Sequence, residues 1–308
     1  MKAFQGAVEV GAHAVETDIH LSKDDVVVLS HVGHLLLAGS HDQRMIDARQ
    51  DGDLKRCFGQ KEKIIDCDWD YLSTLRTLKA PHEPMPRLRD LLAYVAQPGL
   101  EHIWLLLDIK LDNNSDKVMR LIAETLAAVN PGQRAWNQRV VLGIWAAKFL
   151  PLCIQYLPGY PVSHIGFSTT YARQFLKVPN VSFNMLQKVL LGPVGARFMR
   201  DVRRANRALF VWTVNDANLM KWSIQKRVDG VITDDPKKFN QIRRDWEDDE
   251  EKATARLSLM QWLYTLWLWM MIGAFSIPFK RRFPETVEQF IKNDLRAKAT
   301  LTLGETEE

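Results

Sequence analysis

Cysteine is scarce in this chain: Cys57, Cys67 and Cys153 are the only three among 308 residues. An odd number without metal-site spacing argues against both a disulfide framework and a thiolate zinc site, and fits a reducing compartment with buried or free thiols. The opening Met1-Lys2-Ala3-Phe4 starts no apolar run, so no signal peptide is expected. An excess of one charge is also lacking. Lys and Arg number 41 against 37 Asp and Glu, and the resulting +4 is too mild and dispersed to suggest nucleic acid. Hydrophobic residues make up 46%, enough for a large core, so this length accommodates one large α/β barrel with a tail, or two ordinary domains.

The most informative stretch that is present is Glu16-Thr17-Asp18, followed by the apolar run 26–29 and then His31. On an extended strand, residues two apart share a face, so Glu16 and Asp18 would present two carboxylates to one spot. Paired hard oxygen ligands suit Mg²⁺ or Ca²⁺, and a histidine at a strand end is a natural proton carrier near neutral pH. Taken alone, the same residues also suit a strand with two exposed acids and a chance histidine.

Apolar, β-branched runs recur at 15–20, 103–109, 140–145, 162–167, 181–183, 209–214 and 228–232. Helical patterns lie between them at 115–129, 146–156, 171–176, 191–206 and 217–226. This alternation predicts a parallel sheet, and its count predicts a (β/α)8 TIM-type barrel lacking one strand, with 26–29 as a hairpin extension.

Four motifs in order resemble the glycerophosphodiester phosphodiesterase family over about residues 1–245. They are Glu16-Thr17-Asp18 with Ser30-His31, Leu107-Asp108-Ile109-Lys110, Trp212-Thr213-Val214-Asn215, and Gly230-Val231-Ile232-Thr233-Asp234-Asp235-Pro236. Within the family, Leu142-Gly143-Ile144-Trp145 and the apolar C-terminal segment look most like the fungal phosphatidylglycerol phospholipase C branch. The resemblance implies a phosphoric diester hydrolase that cleaves next to glycerol. It assigns a divalent cation (Mg or Ca) to Glu16, Asp18 and Asp108, catalytic roles to His31 and Lys110, and pocket lining to Trp212 and Asn215. It also implies a glycerophospholipid substrate, with cleavage of phosphatidylglycerol to diacylglycerol and glycerol phosphate. The other readings are a phosphodiesterase of soluble glycerophosphodiesters and a non-catalytic, membrane-attached lipid-binding barrel.

Two departures from the family pattern stand out. The family's first strand carries a His-Arg motif with a Glu-Asn-Thr after it. Here Met1 falls where the first helix begins, so the chain reads as N-terminally truncated, which accounts for the missing strand. By the resemblance, the chain as written then lacks the family's first catalytic histidine, its neighbouring arginine and the early glutamate, an absence expected to leave it inactive unless they are restored upstream. The family also expects His-Asp where this chain has His31-Val32. Excising residues 32–50 joins His31 to Asp51 and restores the motif. A valine codon begins with GT and a glutamine codon can end in AG, the ends of an intron, so 32–50 reads as a retained intron. Ser40-His41-Asp42, inside it, is a weaker rival for the catalytic pair.

Residues 257–279 carry no charge and would span about 34 Å as a helix, enough for a hydrocarbon core. Lys280-Arg281-Arg282 follows, suited to anionic headgroups. The expected organisation is therefore a barrel over 1–245, an acidic spacer over 246–256, a membrane segment over 257–279 and a polar tail over 280–308. Three tryptophans within that segment also suit an interfacial helix. The expected location is intracellular, on a membrane or lipid-droplet surface.

Overall fold

The computed structural model describes residues 1–30, 52–248 and 259–294. His31 and the stretch 32–50 lie outside the described residues, as does most of the acidic spacer.

The first helix, α1 (Lys2–Glu9), leads through Gly11 into β1 (Ala14–Leu21), which turns back on itself as β2 (Val27–Leu29). An excursion follows with two short helices, α2 (Lys55–Phe58) and α3 (Trp69–Thr74), before α4 (Leu88–Val95). The chain then alternates through β3 (Trp104–Ile109), α5 (Ser115–Ala128), β4 (Val140–Ile144), α6 (Phe149–Tyr156), β5 (Val162–Gly166), α7 (Thr169–Phe175), β6 (Val181–Leu186), α8 (Gly192–Arg204), β7 (Leu209–Trp212), α9 (Ala217–Gln225) and β8 (Gly230–Val231). Two further helices are α10 (Pro236–Asp248) and α11 (Leu259–Arg282). One curled sheet results, in the order β2-β1-β3-β4-β5-β6-β7-β8, parallel except for the β1–β2 hairpin. This is the expected α/β, TIM-like architecture. Among the described residues, no strand pairs β8 to β1, so the sheet stays open along that seam.

The sequence explains the two-sided burial. Leu105, Leu106 and Leu107 are consecutive and all buried, the mark of a parallel strand covered on both faces. The helices answer with apolar stripes at helical spacing, such as Val118, Met119, Ile122 and Leu126 on α5. Their starts are capped: the Asn114, Ser168 and Asp216 side chains accept from the first-turn amides of α5, α7 and α9. Arg139, buried ahead of β4, donates to the carbonyls of Val95, Leu100 and Ile103 at 2.7, 2.7 and 3.0 Å, tying α4 to the start of β3. The excursion has a small core of its own, formed by Leu54, Phe58, Ile64, Cys67, Leu72, Leu75 and Met85 against Val28 of β2. The sequence patterns did not mark it, because its helices are too short to show a period.

Two expectations need correcting. The closing strand is only Gly230–Val231, and β7 stops at Trp212, both shorter than the apolar runs. The C-terminal helix forms, but no helix among the described residues is long and apolar enough to cross a membrane. Uncharged is not the same as apolar: Gln261, Tyr264, Thr265 and three tryptophans lower the hydropathy of α11, and its last residues are Lys280-Arg281-Arg282. The helix instead lies on the barrel, with Thr265 buried and Leu268, Ile272 and Phe279 packed on the main core.

His164 sits in the helix-facing row Ile144–His164–Phe183 and stacks on Phe175 at 4.0 Å. Burial pushes its pKa down to about 3, and a backbone contact to Ile144 offsets only part of that. Below the ordinary value of 6.5 the unfolded chain therefore binds a proton that the folded chain refuses, so stability falls as pH drops from 6.5 towards 3. The cumulative effect is on the order of 4 kcal/mol. His164→Leu should flatten this part of the stability–pH curve in urea titrations; an unchanged slope would show that other groups carry it.

Candidate active site

Strand alternation places Glu16 and Asp18 of β1 on one face, and the parallel register sets Asp18 directly opposite Asp108 of β3. All three carboxylates can offer oxygens within 4.8 Å of one another. Asp18 and Asp108 are buried and Glu16 is partly exposed. The cluster lies towards the C-terminal ends of its strands, the end where barrel enzymes carry their chemistry.

Lys110, two residues beyond Asp108, shares that face. Its Nζ lies 2.8 Å from Asp18 Oδ1 and 2.5 Å from Asp108 Oδ2. Burial alone would lower the Lys110 pKa, but Asp108, Asp18 and Glu16 outweigh it and hold the ammonium well above its ordinary range. Asp108 moves the other way from a normal acid. Burial raises its pKa and Asp18 adds to that, with Lys110 and Trp145 opposing. The indole Nε1–H of Trp145 donates to Asp108 Oδ1 at 2.6 Å, so both oxygens of this carboxylate are held. Next to Asp108 in the register stands Gly143. A Cβ there would lie 2.6 Å from Ile165 Cδ1 and 2.9 Å from the Leu107 carbonyl, so only glycine fits.

The donor set suits a hard divalent cation. Three acids share one ammonium in a largely buried cluster, and their ionisation is costly unless a further cation shares the charge. Glu16, Asp18 and Asp108 are the residues that could hold the ion.

The other expected site residues fall differently. Trp212 meets Trp145 edge to face at 5.7 Å and donates its indole N–H to the Asn184 carbonyl at 2.9 Å, so it walls the same interior one ring away from the acids. Asn215 joins the ends of β7 and β8. Its amide donates to Asp234 at 2.7 Å, and its carbonyl accepts from Thr233 and from the Asp234 backbone. Asp234 is thus a partner of Asn215 in a loop.

Two groups at this end were given no role in the site by the sequence. Trp145 is the polar contact that orients Asp108. His20, on the same strand face as Glu16 and Asp18, is buried and paired through Nδ1 with Asp112 Oδ2 at 3.1 Å. The same Asp112 oxygen accepts the Gly52 amide at 3.0 Å. Period-two alternation extended from Asp18 would have found His20. Asp112 lies past the end of β3, and nothing in the sequence marks it.

A model of the glycerophosphoryl diester phosphodiesterase family matches residues 1–238. The chain is 26% identical over 261 residues to glycerophosphodiester phosphodiesterase domain-containing protein 4 of Macaca fascicularis, which covers 76% of this chain and 37% of the relative. It thus spans well under half of that relative. It is 24% identical over 252 residues to the uncharacterized protein YqiK of Bacillus subtilis, covering 79% of this chain and 91% of the relative. Among solved structures, a glycerophosphodiester phosphodiesterase from Parabacteroides distasonis superposes with a TM-score of 0.61 at 22% identity, over 80% of this chain and 90% of its own. An Oleispira antarctica phosphodiesterase, solved with the product sn-glycerol-3-phosphate, gives 0.60 at 16% identity, over 78% and 87%.

Asp18→Asn and Asp108→Asn should each weaken Mg²⁺ or Ca²⁺ binding by roughly tenfold or more in calorimetric titration, while Glu124→Gln on the exposed face of α5 should not. Equal affinity in all three would dissolve the cation site.

Proposed function

This chain belongs to the glycerophosphoryl diester phosphodiesterase family, whose members are phosphoric diester hydrolases, and on that premise we propose that it cleaves a phosphodiester next to glycerol in a membrane glycerophospholipid, phosphatidylglycerol, releasing diacylglycerol and glycerol phosphate. The observation that carries the chemistry is the convergence of Glu16, Asp18, Asp108 and Lys110 on one face of the paired strands β1 and β3. The lipid substrate rests on the Leu142–Trp145 motif and on the apolar α11 beside the barrel.

A divalent cation bound by the three acids would neutralise phosphate oxygens and acidify the attacking glycerol hydroxyl or water. The chain's own residues do the rest. Lys110, held charged by the acids, lends a positive charge to the pentavalent state. Trp145 fixes the Asp108 carboxylate through one N–H, so that the acid keeps its aim as charge shifts. Trp145 and Trp212 form an apolar wall that thins the water around the reacting phosphate. His31 serves as one half of a general acid/base pair, whose other half in the family is the histidine of the His-Arg motif.

Soluble glycerophosphodiesters are a second reading, in keeping with the Oleispira antarctica phosphodiesterase, solved with the product sn-glycerol-3-phosphate, a product that both substrates would give. Dispersed phosphatidylglycerol and a soluble glycerophosphodiester offered to the same protein with Mg²⁺ or Ca²⁺ separate the two. Diacylglycerol and glycerol phosphate should appear from the lipid, chelation should stop the release, and Asp18→Asn should abolish it. Turnover of the soluble diester alone would replace the lipid reading, and turnover of neither would leave a non-catalytic lipid-binding barrel.

Residues 32–50 belong to this reading as a translated intron. Both flanks are anchored at one end of β1: the Ser30 amide donates to the Asp18 carbonyl at 3.3 Å, and Gly52 packs beside the His20 ring. Transcript sequencing should show a direct His31–Asp51 junction; a mature message that keeps codons 32–50 would refute it.

A further inference from the structure

The C-terminal helix carries large apolar residues on every side, yet the barrel covers one side of it. Thr265, Leu268, Ile272 and Phe279 face the core, and Phe283 just beyond the helix is buried with them. Leu259, Trp262, Leu263, Leu266 and Met270, at helical spacing on the other side, are 74, 42, 51, 62 and 69% exposed. An apolar stripe of this kind is expensive in water and marks a surface that something covers.

Its position is informative. Phe279 packs on Phe167 and Tyr171 at 5.7 and 5.6 Å, and Phe167 directly follows β5. Near the other end, the helix meets the 187–190 turn that follows β6, and Trp262, at the edge of the exposed stripe, borders Gly192. Helix α11 therefore lies across the C-terminal ends of β5 and β6, the end of the barrel where the acids converge. Contacts run from Phe279 through Phe167 and Trp145 to Asp108.

We propose that the exposed face of α11 docks in the plane of a lipid bilayer carrying anionic headgroups, without spanning it, and so presents the acid-lined end of the barrel to lipid. The proposal rests on the phospholipid reading above and adds the surface and the orientation. Charge favours this occupant. Arg281 and Arg282 are exposed at the C-terminal end of the same helix, beyond the stripe, where they meet phosphate headgroups while Trp262 and the leucines enter the acyl boundary. The barrel-facing side stays packed, so docking needs no unfolding of the helix.

The test uses the whole chain and vesicles of phosphatidylcholine with or without phosphatidylglycerol. The parent should sediment with both and more strongly with phosphatidylglycerol, a difference that salt should reduce. Leu263→Glu/Leu266→Glu should weaken sedimentation by roughly tenfold or more while preserving the thermal melt and Mg²⁺ affinity. Arg281→Gln/Arg282→Gln should remove only the preference for phosphatidylglycerol. Undiminished vesicle binding by the leucine variant would overturn the proposal. So would a parent that ignores vesicles and forms a dimer which the leucine variant splits, since the stripe would then cover a second copy. The outcome is independent of catalysis. Vesicle binding without release of diacylglycerol would count against the substrate reading and leave the docking surface standing.

Discussion

The contact between Lys110 and the paired acids Asp18 and Asp108 is the constraint around which this end of the barrel is arranged. Buried carboxylates on adjacent parallel strands repel one another, and burial further disfavours their charge. One ammonium within 2.8 Å of both makes the pairing tolerable, and the residual charge makes the cluster receptive to a divalent ion. The surrounding choices follow. Gly143 leaves room beside Asp108, Trp145 donates to that carboxylate's Oδ1, and Trp212 closes the wall behind it.

The β1–β2 region carries more than its share of this arrangement. β1 holds two of the acids, pairs with β3 in register, and through its last residues anchors the excursion. Asn113 accepts from the Leu21 amide and donates to the Ile19 carbonyl, while Asp112 holds His20 and Gly52 together. The excursion's small core packs on Val28, so β2 belongs to both bodies. A single strand end thereby links the cation cluster, the main core and the extra layer. On the far side, β8 is two residues long and the sheet stays open among the described residues. The acids are thus held from the β3 side, by a strand buried on both faces.

The C-terminal helix joins the chemistry to its setting. Aromatic contacts from Phe279 through Phe167 to Trp145 place a largely apolar helix against the residues that orient Asp108. The uncharged run in the sequence suggested a span. The structure instead divides the same residues between a face packed on the barrel and an exposed one, in a helix not apolar enough to cross a bilayer.

The sequence by itself determined a good deal. Alternating β and α periods specify a parallel sheet, because β-branched runs separated by helical patterns have few other ways to bury both faces. The i, i+2 spacing of Glu16 with Asp18, and of Asp108 with Lys110, specifies shared strand faces, because side chains alternate along a strand. The matched motifs added the family. Which strands lie side by side is a different matter. It depends on register, and register is a property of two segments far apart in the chain, so only the tertiary structure brought Asp18 opposite Asp108 and put Lys110 between them. The same holds for Trp145 as the donor to Asp108 and for Asp112 as the partner of His20, contacts that no local pattern encodes. It holds too for α11, since residues apolar on every side of a helix carry no mark of which side the barrel will cover.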